Sequence, residues 1–172
     1  FLAMPIGDAR VYCYADTSAA SSPQPGDNVL GRLADLLAEF SPPVPSILDS
    51  LRPDEAVHVA PIEEVALDQW SSGSVLLVGD AAHATSPNMA EGAAMALEDG
   101  LVLAECLASE GGVAQALAAF QARRRPRTRW VRDQTHRRDR TRNLPPAVRN
   151  IVLRRWGSKI VHANYRPLLD LP

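Results

Sequence analysis

The stretch GDAAHATSPNMAEG, residues 79–92, follows the short apolar run VLLV at residues 75–78. A continuous apolar run between turn residues is typical of a strand buried on both faces of a parallel sheet. Asp80 then stands at the carboxyl end of that strand, which is where open α/β sheets bind ligands. A loop follows, and we expect a helix to begin between residues 90 and 92.

The start of this predicted helix has the chemistry of a binding site. Its first N–H groups lack intrahelical partners and carry the positive end of the helix dipole. Gly79 permits close approach of the backbone, and Gly92 removes a side chain that would block a ligand. The Asp80 carboxylate suits a polyol and the helix end suits an electron-rich carbonyl. The pattern therefore predicts a cofactor site without identifying the cofactor.

The composition is that of a globular chain. It has 172 residues, 46% of them hydrophobic and 22% charged, with a formal net charge of −2. These values exclude a disordered or fibrous chain and give no general reason to expect a nucleic-acid partner. The apolar runs are too short for a membrane span. Cys13 and Cys106 lie far apart in no metal-binding spacing, so we expect free thiols and a cytoplasmic location; a disulfide has no support.

The N-terminal part predicts mixed structure. Residues 1–16 read as a hairpin whose second strand alternates apolar and polar side chains, as a half-buried strand does. Asp27 is the predicted cap of a helix that continues to Phe40, and a shorter helix spans residues 44–51. Residues 57–65 read as a strand containing Pro61, either one edge strand or two short pieces.

The C-terminal part predicts three helices. Residues 91–109 form an apolar helix that we expect to be buried, because its leucines leave little polar face: Leu97, Leu101, Leu103 and Leu107. Residues 113–142 read as helical with a break near Pro126. A last helix begins at the proline pair of residues 145–146.

A family resemblance rests on the central stretch. The run Gly79 to His83, followed by Pro87, Gly92 and the triplet LED at residues 97–99, resembles the second flavin motif of single-component aromatic hydroxylases of the p-hydroxybenzoate and salicylate hydroxylase type. The likeness is strong over residues 70–104. The chain is thus similar to the C-terminal portion of an FAD-dependent aromatic-ring monooxygenase.

The resemblance implies a role for each motif residue. Asp80 would hydrogen-bond the ribityl chain of FAD, Pro87 would line the flavin ring, and backbone groups near Gly92 would face the pyrimidine carbonyl. It implies NAD(P)H as co-substrate, dioxygen, a small aromatic or polycyclic substrate, no catalytic side chain and no metal. The implied cofactor-binding residues are Gly79, Asp80, Pro87, Ala90, Glu91, Gly92 and Ala93.

The sequence departs from the family pattern at two residues and in one absence. Ala90 stands where the family usually has Gly, which is tolerable if the backbone there is not left-handed. Glu91 replaces a Gln and puts a negative charge near the flavin. The ten glycines include no pair at Gly-x-Gly spacing, and the family's Asp-Gly motif ahead of the substrate domain is missing. We therefore expect the ADP-facing half of the site in a missing N-terminal half of the same protein; a chain that opens on an apolar segment without Met also suggests a cut.

Other residues have simpler interpretations. His83 is expected to be structural, because the family chemistry needs no histidine there. The ten arginines of residues 123–142 could bind phosphates or nucleic acid, but a solvated helix face, or pairing with acids of the missing half, is favoured. Tyr12 and Tyr14 could face a substrate, and ordinary packing is at least as good a reading.

The fold class that we predict is α/β, or α+β within this chain. It comprises part of an FAD-binding Rossmann-like domain, the end of a β-sheet substrate domain, and C-terminal helices. The expected divisions are residues 1–66 for the substrate domain, 67–110 for the flavin-facing segment and 111–172 for the helices. The alternatives are an FAD-dependent epoxidase, a non-oxygenating oxidoreductase, an inactive remnant, or a basic-helix nucleic-acid binder.

Overall fold

The structure is a computed structural model that describes residues 1–17, 28–52, 57–109, 111–142, 144–170 and 172. Within these ranges the strands are β1 (Leu2–Pro5), β2 (Val11–Tyr14), β3 (Ser71–Ser72) and β4 (Val75–Leu76). The α-helices are α1 (Val29–Leu37), α2 (Val44–Ser50), α3 (Asp80–His83), α4 (Gly92–Ser109), α5 (Val113–Arg142) and α6 (Pro146–Tyr165). Two 3-10 helices span Pro87–Met89 and Arg166–Leu169. No helix in the described ranges is both long and apolar enough to cross a membrane.

The chain divides into two compact units, residues 1–61 and 62–172. In the first unit β1 and β2 pair antiparallel, with Leu2 opposite Tyr14, so the predicted hairpin is confirmed. The expected half-burial of its second strand is wrong. Val11 is 49% exposed and its neighbour Tyr12 is 47% exposed.

Two helices follow in the first unit. The Asn28 side chain caps α1 by accepting a 3.0 Å hydrogen bond from the Gly31 N–H. The cap predicted from sequence, Asp27, lies outside the described residues. Helix α1 ends at Leu37, a few residues short of the predicted end, and α2 occupies the predicted place.

The strand predicted for residues 57–65 is wrong, since no described residue of this range has a strand partner. Pro61 has no N–H to give to a ladder. The Val65 N–H instead donates a 2.9 Å hydrogen bond to the Ala84 carbonyl, which ties this extended segment to the loop after α3.

The run at residues 75–78 does not form the predicted buried parallel strand. β4 pairs antiparallel with β3, and Val75 is 64% exposed while Val78 is 42% exposed. A strand buried on both faces needs a covering layer on each face. Here Leu76 and Leu77 pack against the core, while Val75 and Val78 stay exposed, and the described residues provide no parallel neighbour. The turn predicted for residues 70–74 is confirmed at residues 73–74, while residues 71–72 form β3.

The core of the second unit lies between the hairpin and helices α4 and α5. It consists of Trp70, Ala82, Val102, Cys106, Ala116 and Phe120. Helix α4 turns one face to this core, formed by Met95, Asp99, Val102 and Cys106. Its expected burial on all sides is wrong, because Leu97 is 74% exposed and Leu101 is 64% exposed.

Helix α5 runs through Pro126 without interruption, so the predicted break there is wrong. A proline inside a helix costs about 3 kcal/mol, because one hydrogen bond is lost and the ring crowds the preceding turn. Pro126 itself is exposed, while Arg124 and Thr128 on either side of it are buried and hydrogen-bonded. Packing on both sides thus holds the helix. The start of α6 at Pro146 is as predicted.

Candidate functional site

The hairpin β3–β4 delivers the chain to Gly79, whose backbone conformation only glycine adopts readily. Its φ is 56° and its ψ is −139°. A Cβ atom there would lie 3.2 Å from the Ala96 Cβ atom on α4. Glycine is therefore required both by the left-handed φ and by the close approach of this turn to α4.

Asp80 is the first residue of α3 rather than the last residue of a strand followed by a loop, which corrects the expected geometry. Its side chain is exposed and has no hydrogen-bond or ion-pair partner among the described residues. A Cβ atom on Gly92 would lie 3.9 Å from the Asp80 Oδ1 atom. The structure therefore brings the carboxylate of Asp80 to the N-terminus of α4, as the motif predicts.

Behind this carboxylate, Asp99 anchors both ends of the α3 turn. Its Oδ2 atom accepts a 2.8 Å hydrogen bond from the Gly79 N–H and lies 2.7 Å from the His83 Nε2 atom. The His83 ring also packs against Trp70, with ring centroids 5.2 Å apart. His83 thus has the contacts of a structural residue.

Two arginines of α5 neutralise the acidic pair of α4. Arg124, fully buried, donates from Nε to Asp99 at 2.8 Å and from Nη1 to Glu98 at 2.6 Å. Arg127 makes two 2.7 Å hydrogen bonds to Glu98. The expectation that these arginines are solvated, or paired with acids outside the chain, is wrong for this pair.

The network sets the charge of its carboxyl groups. Burial alone raises the pKa of Asp99, but hydrogen bonds from His83, the Gly79 N–H and Arg124 outweigh it, so the pKa lies below its ordinary value. Burial also raises the pKa of Glu98, and hydrogen bonds from Arg127 and Arg124 again leave it lowered. Both carboxylates are therefore ionised at neutral pH.

The segment between α3 and α4 contains the two residues that depart from the family pattern. Ala90 has φ 57° and ψ 27°, the left-handed conformation that favours glycine. Glu91 is half-buried, and burial together with the nearby Glu98 raises its pKa, against the attraction of Arg127 and Arg138. Pro87 begins the 3-10 turn that precedes Ala90.

Sequence reasoning did not find Arg124 as part of this site. The sequence places Arg124 in the basic stretch of residues 123–142, and the acidic pair at residues 98–99 belongs to the flavin motif. Two adjacent acids in a largely apolar helix are a signal for buried cationic partners, since isolated buried charges are very costly.

Comparison with known proteins identifies the family. Residues 45–135, or 91 of the 172 residues, match a family model described as FAD binding domain. The chain is 37% identical over 126 residues to aurachin C monooxygenase/isomerase of Stigmatella aurantiaca, covering 71% of this chain and 32% of the relative. It is 37% identical over 99 residues to 6-hydroxynicotinate 3-monooxygenase of Pseudomonas fluorescens, covering 56% and 25%.

The fold is also shared with a solved structure. A crystal structure of a variant of Klebsiella pneumoniae HpxO complexed with FAD superimposes with a TM-score of 0.71 at 23% identity, covering 88% of this chain and 42% of that one. This likeness confirms the predicted α/β fold class. The chain spans about a third or less of the length of the two relatives above.

Proposed function

Because this chain belongs to the FAD-binding domain family, we propose that it holds the ribityl chain and the isoalloxazine ring of FAD. The observation that carries the proposal is the Asp80 carboxylate, which is exposed, has no partner among the described residues, and lies beside Gly92 at the start of α4. A carboxylate without a protein partner next to free backbone N–H groups is suited to a ligand that has both hydroxyl and carbonyl groups.

The residues present fit FAD in three respects. Asp80 accepts hydrogen bonds from ribityl hydroxyls. The first N–H groups of α4, at Gly92 and Ala93, donate to a flavin carbonyl, and the helix dipole stabilises negative charge there by roughly 0.3–2 kcal/mol. Pro87 and Ala90 bring the turn against the ring, and Gly79 lets α3 lie close to α4. Glu91 opposes the build-up of negative charge on the ring.

FAD, when bound and reduced, supplies the oxygen-transfer chemistry that amino-acid side chains lack. The residues of this chain bind and orient it, and no side chain here is assigned an acid–base role. We propose an NAD(P)H- and dioxygen-dependent hydroxylation of a small aromatic or polycyclic compound. The names of relatives that are monooxygenases of 6-hydroxynicotinate and hydroxylases of urate support this class of substrate.

The exposed face of α4 is suited to contact with another part of the protein. Leu97 and Leu101, four residues apart on one face of α4, are 74% and 64% exposed, and large apolar side chains exposed together favour a protein contact. We propose that the ADP-facing half of the FAD site covers this face. The two unpaired cysteines support a cytoplasmic location.

A titration of flavin fluorescence tests the binding proposal. Riboflavin lacks the ADP part of FAD, so a chain that contacts only the ribityl chain and the ring should bind riboflavin and FAD with similar affinity. Asp80→Ala should weaken both by roughly 10- to 100-fold, the value of a charge-assisted hydrogen bond. Asp68→Ala is the matched control, because the Asp68 side chain is fully exposed and its one ion pair among the described residues is with Arg125 at 3.5 Å. Equal weakening by the two variants, or no quenching by either flavin, would contradict the proposal.

A further inference from the structure

The 3-10 turn Pro87–Met89 is held by side chains from the two C-terminal helices. Arg138 of α5 donates a 2.8 Å hydrogen bond to the Asn88 carbonyl. The Tyr165 hydroxyl, at the end of α6, donates to the Met89 carbonyl at 3.3 Å. These contacts span 50 and 76 residues of sequence, so they are tertiary constraints on the turn.

The two side chains also hold each other. The Arg138 Nη1 atom donates to the Tyr165 hydroxyl oxygen at 3.2 Å, and the guanidinium lies 5.3 Å from the centroid of the Tyr165 ring. A cation over an aromatic face at this distance is attracted by the ring. Because the hydroxyl accepts from the arginine and donates to Met89, the pair forms one connected chain of hydrogen bonds.

The turn is fixed at further points around these carbonyls. The Asn88 side-chain amide donates to the carboxylate of Asp139, the neighbour of Arg138 on α5. The Met89 side chain is 2% exposed, and the Ala90 N–H donates to the Pro87 carbonyl at 2.8 Å. Backbone and side chains of this turn are therefore constrained from several sides.

Such constraint is what the next residue requires. Ala90 is left-handed, and a non-glycine residue keeps that conformation only where the surroundings over-determine it. The direction in which the chain leaves Ala90 sets where Glu91 and Gly92 lie and where the N-terminus of α4 points. A loose turn would move the first N–H groups of α4 relative to Asp80.

We infer that Arg138 and Tyr165 are positioning residues for the segment of residues 87–92, which leads into the start of α4. They act through the carbonyls of Asn88 and Met89. The segment's role toward FAD rests on the function proposed above, whereas the constraint on its backbone does not. The C-terminal end of α6 thereby supports the proposed cofactor site without contacting the cofactor.

Hydrogen exchange of the full chain tests the positioning role without any flavin. Tyr165→Phe and Arg138→Met should each accelerate amide exchange at Ala90, whose N–H donates to the Pro87 carbonyl, by roughly 2- to 10-fold, as expected for one lost hydrogen bond. Arg138→Lys keeps a cationic donor and should restore part of the protection. The controls are Tyr12→Phe and Arg140→Met, since both side chains are exposed and neither has a partner among the described residues. Unchanged exchange at Ala90 in both variants would overturn the inference.

Titration of the same variants with riboflavin links the turn to the cofactor. Affinity should fall roughly 2- to 10-fold in Tyr165→Phe and Arg138→Met, and the absorption band of the bound flavin should shift, which a general loss of stability would not produce. Full affinity with an unshifted band in these variants would overturn the positioning of the cofactor. If the unmodified chain binds no flavin while exchange is accelerated in the variants, the proposed function fails and the constraint on the turn stands.

Discussion

The carboxylate of Asp99 accepts a 2.8 Å hydrogen bond from the backbone N–H of Gly79, the residue that immediately precedes Asp80. A buried acid of α4 thus fixes the turn from which an exposed acid faces the proposed cofactor. The same carboxylate is paired with Arg124, so the site on the surface depends on an ion pair in the interior.

Asp99→Asn should lower the free energy of unfolding by about 3 kcal/mol, because it breaks a buried ion pair and leaves Glu98 as the remaining acidic partner of Arg124 among the described residues. Urea unfolding followed by circular dichroism measures the change. Glu105→Gln on the same helix is the control. That residue is 60% exposed, and its contact with Arg123 should be worth less than about 1 kcal/mol. A loss as small as that of the control would show that the buried pair does not stabilise the fold.

Acid should destabilise the protein through the same network. The folded pKa values of Asp99 and Glu98 lie below their ordinary values of 3.8 and 4.5. Their contribution to stability is therefore fully present above the ordinary values and is lost as pH falls through the lowered ones. Unfolding midpoints in urea at a series of pH values from 7 to about 3 measure it. The acid-induced loss should be smaller in Asp99→Asn, and an equal loss in both proteins would locate the acid sensitivity elsewhere.

Ala90→Gly should stabilise the chain by about 0.5–1 kcal/mol. Glycine removes a left-handed strain of about 1–2 kcal/mol, and its greater freedom in the unfolded chain offsets part of the gain. Thermal unfolding measures the change, with Ala84→Gly as the control, because Ala84 has a negative φ of −49°. A destabilised Ala90→Gly chain would mean that the alanine methyl group contributes packing that outweighs the strain.

Glu91→Gln should increase stability at neutral pH by less than about 1 kcal/mol, since the side chain is partly exposed. The folded pKa of Glu91 is raised, so its contribution is favourable below the ordinary value of 4.5 and is lost as pH rises through the raised value. The gain from the substitution should therefore be present at pH 7 and absent at about pH 4. An equal gain at both pH values would exclude its charge as the cause.

The sequence predicts the site more completely than it predicts the packing around the site. The local sequence between Asp80 and Gly92 is enough to bring these two residues together, because a short helix and a turn return the chain to the Asp80 carboxylate. The sequence does not predict which face of α4 is buried, because its leucines favour the face that contains Leu97. The core instead takes the face that contains Asp99. The buried carboxylate of Asp99 pairs with Arg124, 25 residues later in the sequence. Pairings of that range have no local signature.

The two faces of α4 also differ in the order in which they can find their partners. Its inner face meets α5, the next helix along the chain, so this contact closes only a short loop and forms early in folding. The leucine face has no partner of that kind among the described residues. The pair of helices α4 and α5 can therefore form before the exposed side chains of Leu97 and Leu101 find a partner. Until these side chains are covered, Leu97 and Leu101 are the exposed apolar residues of α4 through which a folding chain would aggregate.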